Sequence, residues 1–297
     1  MQNDALSKTP TDALGELRGE IDRIDLSMHR LLMQRGEIID RLIECKRAQG
    51  GGCAFRPDRE AQMMRALVER HHGLLPLDAV EGIWRVIVST FTFVQAPYSV
   101  HADDSGGDAQ MRDSARFHFG FTVPYVPHHG AVAVIDAVSA SSGDLGVLRS
   151  LGGSGDGAWW LRLVGERAPK IIARLPFVER PDHPAGLPVF VVAKPATDFY
   201  AQDIALYSVS LPRWAHDVPA AIAAAEGEIL ASAPKSGGHA LLVAAPAKNS
   251  STKTGAERLL DELKACGVEA PAVDAIGGHA TRFEMNEARA GVFSPKG

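Results

Sequence analysis

The first part of the chain carries a stripe of positions at alternating spacings of three and four, all apolar except one. Its members are Leu14, Leu17, Ile21, Ile24, Met28, Leu31, Arg35, Ile38, Leu42 and Cys45. This heptad pattern predicts a long helix over about residues 12–48, ended by the glycine run at 50–52. At ~1.5 Å per residue the helix would be about 55 Å long. Because that length exceeds a small single core, the pattern predicts packing against a partner chain.

Two shorter helices are predicted next. One begins at Pro57, a residue suited to the first helical turn, and ends before Gly73. Its apolar face holds Ala61, Met64, Leu67 and Val68. The other is predicted from about Leu77 to Gln95, with an apolar stripe. That stripe holds Val80, Ile83, Trp84, Ile87, Phe91 and Val94.

The remainder of the chain has a different character. Residues 96–114 mix Pro, Gly, Ser and Asp, which predicts a linker over 99–114. Residues 115–297 predict an α/β (α+β) domain. From 203 onward the predicted order is β-α-β-α-β, with one helix over residues 218–230, and over 203–285 this order is typical of a ferredoxin-like sandwich.

Composition narrows the function classes. The chain has 297 residues, a net charge of −5 and 45% apolar residues, which favours a globular protein that binds neither nucleic acid nor a membrane. The N-terminus lacks the apolar segment of a secretory signal. Cys45, Cys53 and Cys266 have no metal-ligand spacing, so we expect a cytoplasmic protein without a metal site.

Cations interrupt the apolar stripe of the first helix. Arg35 occupies an a position, and Arg18 and Lys46, being 28 residues apart, both occupy e positions beside the stripe. A buried cation needs a partner. Arg35 is therefore either a register device, paired with an acid such as Asp25 or Glu60, or a ligand for a small anion with several carboxylates held inside a helical bundle.

Residues 12–98 resemble the all-helical chorismate mutase domain in its bacterial three-helix form, through "LGELRGEIDRID", "LLMQRGEIIDRLIECKR", "FRPDREAQMMRAL" and "IWRVIVSTFTFVQ". The resemblance implies a mutase domain over 10–98 and an intertwined homodimer in which the long helix spans both sites. It also implies rearrangement of chorismate to prephenate without a cofactor, in phenylalanine and tyrosine biosynthesis.

The resemblance also implies residue roles. Arg18, from the other subunit, and Arg35 would bind the carboxylates, and Lys46 and Gln95 would donate to the ether oxygen. Glu60 would bind the ring hydroxyl, and Arg59 would support the carboxylate cluster. Arg56 stands where the family often has Asp, and either adds to substrate binding or lies in solvent. Such a set suits the reaction, because it holds a compact conformer and places positive charge at the breaking bond.

The second part faintly resembles a prephenate dehydratase with a phenylalanine-binding ACT domain. Arg149, Ser150 and Leu151 stand where that family has Glu-Asn-Ser, and Pro188 and Val189 replace the Thr and Arg of another motif. This implies a degenerate dehydratase-like and ACT-like region, with an aromatic amino acid as a possible effector. The alternatives are an isochorismate-pyruvate lyase, a bifunctional mutase and dehydratase, and a non-catalytic helical dimerisation and regulatory module.

Overall fold

The computed structural model describes residues 10–48, 55–150, 156–195, 203–248 and 253–285. It divides the chain into two compact units, Met1–Gly52 and Cys53–Gly297. The first unit is built on one helix, α1 (Pro10–Ala48), which confirms the long predicted helix. The glycine run predicted to end it lies outside the described residues.

The apolar stripe of α1 lies open on the single chain. Leu17 is 57% exposed, Ile24 is 58% exposed and Leu31 is 63% exposed. Burying a side chain of this size stabilises a protein by roughly 1.5–3 kcal/mol. Covering the exposed stripe with another apolar surface would therefore contribute a large stabilising free energy.

The second unit begins with α2 (Pro57–Arg70) and α3 (Leu77–Gln95), and both predicted helices are confirmed. The buried face of α2 is the predicted one. The buried face of α3 is not the predicted stripe, because only its first member, Val80, is buried while Ile83 and Val94 are 41% and 51% exposed. The buried face is largely polar and comprises Val80, Glu81, Arg85, Val88, Ser89 and Thr92.

An α/β region follows α3 directly. Its elements are β1 (Val100–Asp103), α4 (Asp108–Phe119), β2 (Tyr125–His128), α5 (Ala131–Ala140), β3 (Leu145–Arg149), a 3₁₀ turn (Trp159–Leu163), β4 (Lys170–Leu175), β5 (Val178–Glu179) and β6 (Val189–Ala193). The linker predicted over 99–114 is therefore wrong. The polar cluster "DDSGGD" is the tight connection between β1 and α4, and β1 is a central strand flanked by β2 and β3.

The last part contains the predicted β-α-β-α-β order with two further strands, one directly after the first helix and a short one at the end. Its elements are β7 (Ile204–Leu211), α6 (Val218–Ala224), β8 (Glu228–Lys235), β9 (Gly238–Pro246), α7 (Gly255–Ala265), β10 (Ala272–His279) and the short β11 (Phe283–Glu284). The helix predicted over 218–230 is wrong after Ala224, where α6 ends. There Glu226 adopts a left-handed φ of 61° and Gly227 follows, so the chain leaves the helix and turns into β8.

One nine-stranded sheet joins both parts, in the order β2-β1-β3-β6-β4-β10-β7-β9-β8. The two parts meet where β10 pairs in parallel with β4, at Gly277 opposite Ile171. A Cβ on Gly277 would lie 2.0 Å from the Ile171 carbonyl oxygen, and its φ of +120° also favours glycine. Glycine at this position is what allows the two strands to approach.

Candidate functional site

The predicted site residues are distributed over both units. Arg18 and Arg35 lie on α1, where Arg18 is exposed and Arg35 is partly buried. Lys46 belongs to the last turns of α1, but its side chain lies outside the described residues. Since α1 forms a unit of its own, the roles predicted for these three cations stay predictions.

The other predicted residues lie on α2 and α3. Arg56 is the N-cap residue of α2, and Arg59 in its first turn is exposed. Gln95 ends α3, is partly buried and donates from Nε2 to the Phe91 carbonyl oxygen at 2.9 Å. Its predicted role at the ether oxygen stays a prediction, as do those of Arg56 and Arg59.

Glu60 has a strong partner within the second unit. Its carboxylate accepts a hydrogen bond from Arg85 Nη1 at 2.7 Å, and the two side chains are only 6% and 1% exposed. Arg85 also donates to the His118 carbonyl oxygen from Nε at 3.1 Å and from Nη2 at 2.6 Å. Burial raises the pKa of Glu60 despite the opposing charge of Arg85. Binding of a ring hydroxyl by Glu60 stays a prediction and would compete with this ion pair.

A second buried ion pair fixes α3 one turn earlier. Glu81 accepts from Arg180 Nη1 at 2.6 Å and lies 3.2 Å from His183 Nε2, while Arg180 also pairs with Asp78. Burial opposes the charged form of Glu81, but its hydrogen bonds with His183 and Arg180 and their positive charge together lower its pKa. These contacts tie α3 to the segment after β5.

The imidazole ring of His118 lies beside both ion pairs, and among the described residues it makes no hydrogen bond. The side chain is fully buried, and within the described residues neither ring nitrogen has a partner. Its ring stacks on His183 with centroids 6.1 Å apart. Burial holds the pKa of His118 well below its usual value, and the charges of Arg85 and His183 act in the same direction. His118 is therefore neutral at pH 7.

This polar network was not predicted from the sequence. A usable signal was present, because Glu81 and Arg85 stand four residues apart inside an otherwise apolar stretch of α3. Charges at that spacing share one helix face, which pointed to a polar buried face rather than an apolar one. Arg180 and His183 gave no such signal, since they lie about a hundred residues away from Glu81 in sequence.

A histidine chain at β1 was also missed. His101 Nε2 lies 3.1 Å from Asp144 Oδ2, and His101 Nδ1 lies 2.8 Å from His128 Nε2. Because a carboxylate can only accept, Nε2 of His101 donates to Asp144, and in the neutral tautomer that this selects Nδ1 accepts from His128 Nε2. Burial and the neighbouring His101 lower the pKa of His128. Within the described ranges, no set of three His, Cys, Asp or Glu side chains is placed to hold a metal ion.

Residues 17–96 match the family Chorismate mutase type II. The matched segment comprises most of α1 together with α2 and α3, the same elements that carry the sequence resemblance. Among the described residues, no helix combines the length and the apolar character needed to cross a membrane.

Two curated relatives extend the likeness beyond that segment. The chain is 30% identical over 131 residues to a "Bifunctional chorismate mutase/prephenate dehydratase" of Neisseria gonorrhoeae, covering 44% of this chain and 34% of the relative. It is 30% identical over 142 residues to the protein of the same description from Aquifex aeolicus, covering 46% of this chain and 38% of the relative. The matched region of this chain thus covers only a little more than a third of the full length of each relative.

One solved structure is also similar. It is the prephenate dehydratase from Streptococcus mutans, which is matched over 62% of this chain and 99% of its own, at 10% identity and a TM-score of 0.40.

Proposed function

We propose that this protein is a chorismate mutase that converts chorismate to prephenate. The single observation that carries the proposal is the family match over residues 17–96, which contains the six residues that the resemblance assigns to substrate together with Arg56, whose role the resemblance leaves open. They are Arg18, Arg35, Lys46, Arg56, Arg59, Glu60 and Gln95.

The proposed mechanism needs no nucleophile. Arg18 and Arg35 hold the two carboxylates of chorismate and so select the compact conformer that rearranges. Lys46 and Gln95 donate hydrogen bonds to the ether oxygen, where negative charge gathers as the C–O bond breaks. Gln95 is neutral and donates at any pH, so activity extends to alkaline conditions.

The active form in this proposal is a homodimer. The exposed stripe of α1, from Leu14 to Leu42, supports it, because a second copy of the same helix offers a matching apolar surface. The partner subunit would also contribute its own Arg18 to the site. The proposal therefore explains both the length of α1 and the cations along it.

A second candidate activity is prephenate dehydration by the α/β region. It is favoured by the two bifunctional relatives, whose alignments of 131 and 142 residues are longer than the 80-residue span 17–96. Against it stands the absence of the Glu-Asn-Ser motif at 149–151. Phenylpyruvate formed from chorismate before acid treatment would identify this activity.

The test measures the disappearance of chorismate absorbance, followed by acid conversion of prephenate to phenylpyruvate. Unaltered protein should consume chorismate, and Arg35→Ala should lose ~100-fold or more in kcat/KM because a charged hydrogen-bonding partner of the substrate is gone. Arg30→Ala removes the same charge from an exposed position off the stripe and should keep full activity. Consumption that is equal in both variants contradicts the proposal.

A further inference from the structure

The carboxyl ends of β3, β4 and β10 lie at one edge of the sheet, because all three strands run parallel. Ligands of open α/β sheets bind outside such an edge. Here the edge carries several buried polar atoms without a hydrogen-bond partner among the described residues. They include Ser150 Oγ after β3, Arg174 Nε on β4, His279 Nε2 on β10 and Arg282 Nη1 just beyond it.

Arg174 is the central member of this group. It lies opposite Phe190 in the register of β4 and β6, and its Cζ lies 5.9 Å above the centre of the Phe190 ring. Among the described residues no carboxylate approaches its guanidinium within 4.0 Å. Glu179 and Glu228 act on it at longer range, while burial and the charge of Arg282 lower its pKa. A half-buried guanidinium without a direct counter-ion is costly unless an anion binds it.

Arg282 is a second guanidinium close to Arg174 and so provides no counter-charge. It pairs with Glu179 at 2.7 Å, and its side chain is only 12% exposed. One carboxylate in direct contact thus faces two neighbouring guanidinium groups. Glu179 is held by Arg282 and Glu228 acts only at longer range, so among the described residues Arg174 has no carboxylate in direct contact and can bind one small anion.

Next to the cationic donor Arg174, His279 supplies a neutral hydrogen-bond acceptor. It is 5% exposed and stands on the strand next to Arg174, with its ring centre 6.2 Å from that of Phe190. Its Nδ1 donates to the Ala280 carbonyl oxygen at 2.9 Å, so Nε2 is an acceptor. Burial lowers the pKa of His279 to about 4, which leaves the ring neutral. A ligand at this edge thus meets a cation at Arg174 and a hydrogen-bond acceptor at His279.

We propose that the carboxyl edge of β4 and β10 binds a small hydroxycarboxylate, with its carboxylate on Arg174 and its hydroxyl donating to His279 Nε2. The guanidinium fork suits a carboxylate, and the neutral imidazole selects for a hydroxyl donor next to it. This site is separate from the residues proposed to bind chorismate and does not depend on that function.

Ligand-observed saturation-transfer NMR on the full-length protein tests the site with three small probes. Glycolate has both groups, acetate lacks the hydroxyl, and glycolamide keeps the hydroxyl without the charge. Glycolate should bind most tightly, acetate more weakly, and glycolamide not measurably. Equal signals from all three probes would overturn the proposal, and so would saturation by inorganic phosphate without any response to glycolate.

Variants then locate the binding. Arg174→Gln should weaken glycolate binding on the order of tenfold or more, since it removes a charge-assisted hydrogen bond. Arg167→Gln removes the same charge from an exposed position and should leave binding unchanged. His279→Phe should erase the preference for glycolate over acetate. Equal losses in the Arg174 and Arg167 variants would refute the site. If Arg174→Gln does not fold, the probe series on unaltered protein decides.

Discussion

The Arg85 guanidinium and the Glu60 carboxylate meet at 2.7 Å with almost no exposure to solvent. Arg85 comes from the buried polar face of α3, and Glu60 from the first turn of α2. The pair therefore sets the relative position of two helices that the mutase proposal requires, at a residue that the family resemblance assigns to substrate.

Breaking this pair from one side should be strongly destabilising. Arg85→Met leaves the buried Glu60 carboxyl group without its partner, which costs about 3–5 kcal/mol of the free energy of unfolding. The double variant Arg85→Met with Glu60→Met should recover a large part of that loss, because neither charge remains. Urea denaturation of the single and double variants measures both quantities.

The exposed pair Arg162 and Asp136 supplies the matched control. Its side chains lie 2.6 Å apart but are each 54% exposed. Arg162→Met should cost less than about 1 kcal/mol because solvent screens the pair. Similar losses in Arg85→Met and Arg162→Met would show that burial does not strengthen the first pair.

His118 should make the fold sensitive to acid. Its pKa is ordinarily 6.5 and lies well below that value in the folded protein, so protons bind preferentially to the unfolded chain. The stabilising contribution is complete above about pH 6.5 and is lost as the pH falls from there towards the folded pKa. His118→Phe removes this effect, and it should reduce the loss of unfolding free energy by about 1 kcal/mol per pH unit in that window.

Thermal or urea unfolding at pH 7.5 and at pH 5.5 checks the prediction. His216→Phe changes an exposed histidine in the same way and should leave the pH dependence of the unaltered protein in place. The explanation fails if the two variants respond to acid alike.

Gly277 should tolerate no side chain. Gly277→Ala places a Cβ 2.0 Å from the Ile171 carbonyl oxygen, so the pairing of β4 with β10 must open. We expect a loss of more than about 3 kcal/mol in unfolding free energy. Gly165→Ala is the control, because Gly165 also has a positive φ of +104° but has open space around its Cβ. It should cost about 1 kcal/mol from backbone strain alone, and equal losses would exclude close approach as the cause.

The apolar stripe of α1 should decide the oligomeric state. Ile24→Asp inserts a charge into the stripe and should convert the proposed dimer to a monomer in size-exclusion chromatography with light scattering. His29→Asp adds the same charge at an exposed position off the stripe and should preserve the dimer. A monomeric unaltered protein, or an unchanged dimer in Ile24→Asp, would contradict the dimer proposal.

Periodicity predicted the helices well where one pattern extended over many residues. The stripe of α1 runs for more than four heptads, and Pro57 marks the start of α2 clearly. Periodicity predicted the wrong face of α3, because Ile83 and Val94 are more apolar than Glu81 and Arg85, and local patterns favour the apolar face for burial. Here the buried charges are compensated by partners distant in sequence, which no local pattern reveals.

Short strands inside the sheet were the other elements that the sequence pattern predicted wrongly. The β1 strand has only four residues and is followed by a glycine-rich turn, so its composition is that of a connection. Pairing with β2 and β3 on both sides makes it a strand, and that pairing depends on contacts beyond residue 125. The Arg174 and His279 cluster was unpredictable for the same reason, since the two residues meet only through the sheet.

The junction of β4 with β10 limits where this protein can be truncated without exposing an edge of the sheet. Removing the ferredoxin-like part, residues 203–285, would uncover the edge of β4 that faces β10, and the β4 residues Ile171, Ile172 and Ala173 are at most 4% exposed. A bare, apolar sheet edge recruits other chains and promotes aggregation. The C-terminal part therefore acts as a protective cover for the sheet, and a shortened protein ending near residue 195 should precipitate instead of remaining in solution.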